Sequence, residues 1–439
     1  MNPATSLPPG PRMPVLAQTV LSAIQPLEFA KDCRRKYGNL FTIKVFPVGT
    51  VVCAADPAVI RRAVTAESST LLAGDANRVM DFVVGPRSVL LLDGPEHVRS
   101  RQVLLPPFRG PSVQRYQDTI AEVTAEAVRR WPAGTPVPLL PRMQHVTLEI
   151  MMRVVFGITD LQRLAGLRAL VPKLLHMNPA VVLFPLLRKD WGRYSPGGRF
   201  ARVKAAVDEI LYSEIARRRS EVDSERSDVL SLLLRMRHAD GQPASDEDLR
   251  DNLITVLAVG HETTATTLSW AFERLVRHPE ALARLESELA DGQHEYLDAV
   301  INETLRVRPV VGDIARILAA PATIDGYRLP AGIMLALSLG LLHSCPRRYP
   351  EPEEFRPERF LGEAPGPELF LPFGGGPHRC LGAAFAMTTM RTVISTVLAH
   401  TRLRAAAPEP ERQRAMGPVL TPARGAEVVL QRRKAFRTS

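Results

Sequence analysis

Phe373-Gly374-Gly375-Gly376-Pro377-His378-Arg379-Cys380-Leu381-Gly382 decides how this chain is read. It sets one cysteine at the end of a glycine-rich loop, and a helix-like run from Ala383 to Leu398 follows. Glycine lets backbone approach a flat ligand and take up positive φ where the turn needs it. Amide N–H groups and the positive end of the following helix are expected to lower the thiol pKa. Phe373 is expected to cover the sulfur side and keep water away. A thiolate so placed can be aimed at an iron atom. The competing reading is a turn before a helix, carrying an inert buried cysteine.

Two stretches upstream narrow the choice. Ala258-Val259-Gly260-His261-Glu262-Thr263-Thr264 lies in a helix readable from about Asp246 to Val276, with Ser245 and Asp248 as a capping box. A glycine inside a helix costs about 1 kcal/mol relative to alanine, so Gly260 asks for a reason. Beside it an acid is followed directly by a hydroxyl, Glu262 then Thr263. These side chains project about 100° apart, so one can line a cavity while the other faces water or backbone. The competing reading is a threonine bonded back to its own turn and a merely paired glutamate. Glu303 and Arg306 stand at i, i+3 on a second helix and can pair, and Phe355-Arg356-Pro357-Glu358-Arg359-Phe360 follows.

The 439 residues suffice for a large core, and length alone allows two or three domains. Apolar residues make up 45% and charged ones 23%, the balance of a globular protein. The four cysteines (Cys33, Cys53, Cys345 and Cys380) are far apart and suggest no disulfide framework. Strands are expected at Leu40–Phe46 and Thr50–Cys53, and again near 315–338 and 402–430. Helical spacing marks 113–131, 144–157, 199–219, 227–238, 246–277, 279–290 and 293–307. One mainly α domain with small β elements is expected over residues 1–439, with 1–25 a loosely ordered N-terminal segment. No apolar run is long enough to span a membrane, and no signal peptide is evident. The net charge of +10 raises nucleic acid, anionic membrane or an acidic protein as partner. The arginines are spread along the chain without interleaved aromatics, which argues against nucleic acid.

The cysteine stretch matches at every position the haem-binding loop of the cytochromes P450: Phe, two residues, Gly, a basic residue two further on, then Cys-x-Gly. Glu262-Thr263 resembles the family's acid–alcohol pair. Glu303-Thr304-Leu305-Arg306 resembles its Glu-x-x-Arg motif, and Arg359 the partner arginine. The resemblance runs from about Leu40 to the end and is nearest to soluble bacterial and mycobacterial-type members. It implies the cytochrome P450 fold and haem b (iron protoporphyrin IX), with Cys380 as the axial iron ligand. Thr263 would hold a water at the oxygen-binding side, and Glu262 would help feed protons. His97 and Arg101, Arg316 and His378 would meet the haem propionates, while Phe373, Gly374, Gly382 and Gly260 would lie against the ring. Glu303, Arg306 and Arg359 would form a buried network under the cysteine loop. Val83, Val84, Leu257, Ala258, Val259, Val310, Val311, Ile314, Val419 and Leu420 stand where the family builds its pocket walls. The family usually has Ala or Gly in place of Val259, so this valine is expected to narrow the space above the iron. The apolar, proline-broken stretch Val171–Pro185 would roof the substrate channel.

The function implied is that of a cytoplasmic haem-thiolate monooxygenase, a monomer without membrane anchor. It would place one atom of dioxygen into a small, mainly apolar substrate such as a terpenoid, steroid or fatty acid. Electrons would come from NAD(P)H through a reductase and an acidic ferredoxin, docked on Arg99, Arg109, Arg347 and Arg348. The alternatives are a haem-binding gas sensor, or a P450-like isomerase, dehydratase or peroxygenase needing no electron donor.

Overall fold

A computed structural model describes residues 7–433, except Ser68, 158–164, 176–180, 182–183, 222–225, Ser227, Met236, 238–240, 363–365, 367–368 and Pro418. Its longer helices are α1 Val15–Ile24, α2 Pro26–Tyr37, α3 Gly94–Leu104, α4 Gln117–Arg129, α5 Leu139–Phe156 and α6 Ala165–Leu175. After these come α7 Pro196–Ser220, α8 Asp246–Arg277, α9 Pro279–Ala290, α10 Glu295–Val307 and α11 Ala383–His400. The strands are β1 Leu40–Val45, β2 Gly49–Ala54, β3 Leu71–Leu72, β4 Pro136–Pro138, β5 Asp313–Leu318, β6 Ala322–Ile324 and β7 Tyr327–Leu329. Five more follow: β8 Met334–Ser338, β9 Thr401–Ala405, β10 Gln413–Met416, β11 Val419–Pro422 and β12 Glu427–Arg432.

Helix α8 is the central rod. Its start carries the expected capping box, with the Asp248 N–H donating to Ser245 Oγ at 3.1 Å and the Ser245 N–H to Asp248 Oδ2 at 3.2 Å. Acids fill its first turn and arginines its last, which suits the helix dipole. It is buried along most of its length against α5. Gly260 allows this approach, since a β-carbon there would lie 3.0 Å from Met151 Cε on α5.

The main sheet runs β1-β2-β8-β5-β3. β1 and β2 form the expected hairpin, and β2 pairs in parallel with β8, Val51 opposite Met334. β5 runs antiparallel to β8, with Arg316 opposite Leu335. Side chains alternate along a strand, so Ile314 and Arg316 share one face of β5. β12 lies between β4 and β9.

Residues 15–24 are a helix, where the sequence suggested a loose segment. Its buried Gln18 donates to Met13 O at 2.9 Å and accepts from the Lys44 N–H at 2.8 Å, tying α1 to β1. Of the expected channel roof, residues 176–180 and 182–183 lie outside the described residues.

Candidate functional site

The cysteine loop is held by its own backbone and by the helix Pro57–Thr65 beneath it. The Cys380 N–H donates to Phe373 O at 2.8 Å, and the Arg379 N–H to Gly376 O at 3.1 Å. Gly376 has φ +63°, and a β-carbon there would fall 1.8 Å from Val64 O, so only glycine fits. Nothing lies within 4 Å of the β-carbon position of Gly382, which leaves backbone bare beside Cys380. Cys380 itself is exposed, unlike Cys33, Cys53 and Cys345. Its thiol pKa is raised, which corrects the expectation of a lowered one. Burial of the crevice around the sulfur outweighs the Gly382 N–H and the charges of Arg101 and Arg379. A metal on the sulfur would favour the thiolate.

Around this loop the structure gathers the expected basic set. The His97 and His378 rings stack with centroids 3.8 Å apart. His97 Nδ1 and His378 Nε2 are buried without a hydrogen-bond partner, with Asp93 Oδ1 3.6 Å from the latter. Burial, then His97, Arg316 and Arg101, push His378 down to about 3. It is thus a neutral N–H donor here and not the cation the sequence suggested. Burial and Arg101 lower His97 as well, and burial lowers Arg316 and Arg101. Two arginines whose charge is disfavoured by burial beside two unsatisfied imidazoles make a site poised for an anion. Ile314 brings the same face of β5 to the loop, its Cδ1 4.0 Å from the β-carbon position of Gly374.

On α8 one stripe stays uncovered. Val256, Gly260 and Thr263 are half-buried, and Val259 is 40% exposed in an otherwise buried helix. These are positions i, i+3, i+4 and i+7, a single helical face. Thr263 Oγ1 donates to Val259 O at 2.8 Å, so its hydroxyl rests on its own turn. Glu262 is buried and turns to α5, where Gln144 Nε2 donates to its Oε1 at 2.8 Å and Oε2 at 3.1 Å. Acid and alcohol therefore leave the helix on different sides.

Glu303, Arg306 and Arg359 come together. Arg306 Nε and Nη2 donate to Glu303 at 2.6 and 2.8 Å, and the pair is almost fully buried. Arg359 Nε stands 3.4 Å from Glu303 Oε1, and the Arg356 N–H donates to the same oxygen at 2.8 Å. Arg306 also donates to the carbonyls of His343, Pro352 and Glu354 at 2.8–3.0 Å.

The pocket-wall set divides. Val83, Val84 and Leu257 are buried in the main core, which corrects their expected place on a cavity wall. Leu257 lies about 100° around the helix from the open stripe at Val256. Ala258, Val310, Val419 and Leu420 are also buried, with the Leu420 N–H donating to Val310 O and Trp270 Nε1 to Leu420 O. Val259, Val311 and Ile314 keep open surface. A β-carbon at Gly260, at the edge of this stripe, would also crowd the tip of Met151 on α5. Sequence reading missed Gln144, the partner of Glu262 across 118 residues, because no local pattern marks it. It also passed over the exposed Arg379, whose charge acts on Cys380.

Among the described residues no three His, Cys, Asp or Glu side chains cluster as metal ligands. One sulfur is a meagre ligand set for iron, so a macrocycle must complete it. Haem fits what is present. The residue Cys380 is exposed, a bare stripe lies on α8, and two unsatisfied imidazoles stand beside the buried Arg316 and the half-buried Arg101, where carboxylates would lie. The family model for cytochrome P450 matches residues 7–430. A Mycobacterium tuberculosis H37Rv protein described as cytochrome P450 135B1 is 41% identical over 430 residues, covering 96% of this chain and 91% of its own. Another from that organism, cytochrome P450 138, is 37% identical over 433 residues and covers 98% of both chains. Among solved structures, retinoic acid-bound cyanobacterial CYP120A1 superposes with a TM-score of 0.85 at 24% identity, over 97% of this chain and all of that one. The P450DA heme domain gives 0.84 at 21%, over 98% of each chain. With an open cysteine in a matching loop and relatives aligned over almost the whole length, the chain belongs to the cytochrome P450 family and is a haem b monooxygenase.

Proposed function

We propose that this monooxygenase acts on a small, mainly apolar molecule of terpenoid, steroid or fatty-acid type. Its electrons would come from NAD(P)H through a reductase and an acidic ferredoxin. The observation that carries the substrate class is the stripe Val256, Val259, Gly260 and Thr263. It leaves a β-branched side chain 40% exposed in the middle of a buried helix. Uncovered apolar surface is covered most favourably by another apolar surface.

Haem supplies oxygen activation when bound. The chain's own residues do the rest. Cys380 offers the axial sulfur, and His97, Arg101, Arg316 and His378 would hold the propionates. Val259, Val311 and Ile314 would turn an apolar substrate toward the ring and exclude water. Thr263 presents a hydroxyl on the stripe, and Glu262 stands behind it as proton reserve. The exposed Arg99, Arg109, Arg347 and Arg348 offer positive charge to a donor.

The purified protein would be titrated with a library of apolar compounds while the ferric spin-state spectrum is followed. The expected result is a high-spin shift with apolar members, and oxygenated product with NADPH and surrogate redox proteins. Reversible gas binding without product would support a sensor. Rearranged or dehydrated product without an electron donor would support an isomerase or dehydratase. Oxygenation with peroxide alone would support a peroxygenase.

A further inference from the structure

His261 on α8 stands beside Glu262 and lines a pocket shared with α5 and α6. Its ring is buried, with Nδ1 2.6 Å from Leu257 O. A carbonyl oxygen only accepts, so Nδ1 carries a hydrogen. The other nitrogen, Nε2, stands 3.6 Å from Glu262 Oε2. A bare lone pair there would face a carboxylate. A proton on Nε2 would turn this approach from repulsive to attractive. Thr147 fixes the helix pair at this level, donating to Met143 O at 2.8 Å and His261 O at 3.0 Å.

Beyond the ring, a cavity of about 190 Å³ lies between α5 and α6, lined by Gln144, His145, Glu149, Arg168 and His261 among others. Its lining mixes these polar groups with Pro141, Leu148 and Pro172, and its volume exceeds that of several waters. His145 is exposed, so the cavity meets solvent there. Among the described residues, the charged or titratable groups lining it beside His261 are His145 and Glu149 from α5 and Arg168 from α6. Burial would raise Glu149, but hydrogen bonds from Arg168 and Arg153 hold it below the usual carboxylate range. Glu149 is therefore a fixed anion and not a proton donor. Glu262 instead accepts from the neutral amide of Gln144 and has His261 beside it.

We propose that His261 is the proton-holding group that charges Glu262 from this cavity. In the step the Nε2–H bond of imidazolium breaks and an O–H bond forms on Glu262. Neutral imidazole, still protonated on Nδ1, and neutral carboxylic acid remain. Hydronium from the cavity then restores the proton to Nε2, so one proton is drawn from solvent each time. Glu262 and Thr263 leave α8 about 100° apart, and the pair thereby links the solvent side of the helix to the stripe side. The proposal rests on the monooxygenase reading, in which reduction of dioxygen consumes protons.

The test uses ¹⁵N-histidine-labelled holoenzyme in its diamagnetic ferrous carbonyl form. The His261 ring signals, assigned with His261→Gln, are titrated in wild type and in Glu262→Gln. A shared proton predicts that Glu262→Gln lowers the His261 pKa by about one unit or more. An unchanged pKa overturns the proposal. Glutamine at 261 keeps a donor for Leu257 O but cannot hold a proton in exchange. His261→Gln should therefore lose several-fold in product per NADPH, with substrate KM and the thiolate carbonyl band unchanged. Full coupling in that variant also overturns it. Absence of the thiolate band in wild type would instead defeat the haem-thiolate reading, while the ring titration would still report on the His261–Glu262 pair.

Discussion

Arg306 grips Glu303 with two nitrogens, at 2.6 and 2.8 Å, inside a core where both side chains are at most 1% exposed. Removing the carboxylate charge leaves a guanidinium buried without its counterion. Glu303→Gln should lower the unfolding free energy by roughly 3–5 kcal/mol. Chemical denaturation of the holoenzyme measures it, and a loss under about 1 kcal/mol would show the pair to be dispensable.

His343 predicts a pH dependence. Its Nε2 accepts the Leu371 N–H at 3.1 Å, and burial, then Arg306, push its pKa down to about 3. The unfolded chain binds a proton near pH 6.5, while the folded one does not until about 3. The unfolded state thus holds more protons between these values, and stability falls as pH drops through that window. The slope from this group approaches about 1.4 kcal/mol per pH unit. Urea unfolding at pH 7 and pH 5 should show a smaller difference in His343→Gln than in wild type.

Gly85 predicts a steric failure. It has φ +89°, and a β-carbon would fall 2.1 Å from Asp251 Oδ1. That carboxylate already accepts from the Arg87 N–H at 2.9 Å and Arg250 Nη1 at 2.8 Å. Gly85→Ala should destabilise by about 1–3 kcal/mol. Part of that loss should be absent in an Asp251→Ala background, and strict additivity in the double-mutant cycle would refute the clash.

Val259 should steer the substrate. Val259→Ala widens the stripe by two methyl groups. Binding constants of apolar ligands should shift by about 10-fold or more, with a changed ratio of products. Product analysis decides, since unchanged regiochemistry and binding would remove Val259 from the pocket wall.

Docking of the electron donor should follow charge. Arg99, Arg109, Arg347 and Arg348 are all exposed, and Arg109 is close enough to Arg101 to depress its pKa. Reduction by an acidic ferredoxin should slow as salt rises from 0.05 to about 0.5 M, because screening shortens to a few ångströms. A rate independent of ionic strength would place the contact elsewhere.

Legibility followed the range of the interactions. The start of α8 could be read because Ser245 and Asp248 cap it within one turn. The cysteine loop was readable because Gly376 answers a steric demand at one position. α1 was missed because its inward position is the polar Gln18, while Leu16, Val20 and Ile24 face outward. That inverts the pattern by which amphipathic helices are found. Val83 and Val84 read as pocket wall because an apolar residue looks the same facing a core or a cavity. The direction of Glu262 was hidden because Gln144 meets it only after the whole chain has folded.

The parallel match of Val51 with Met334 has a consequence for synthesis on the ribosome. The β1–β2 hairpin emerges early, but the neighbour that covers the β2 edge is not made until residues 334–338 leave the exit tunnel. Until then the nascent chain carries an unprotected strand edge that can recruit another polypeptide. Chaperone demand during translation should thus be set by this one late pairing, more than by the helices that make up most of the protein.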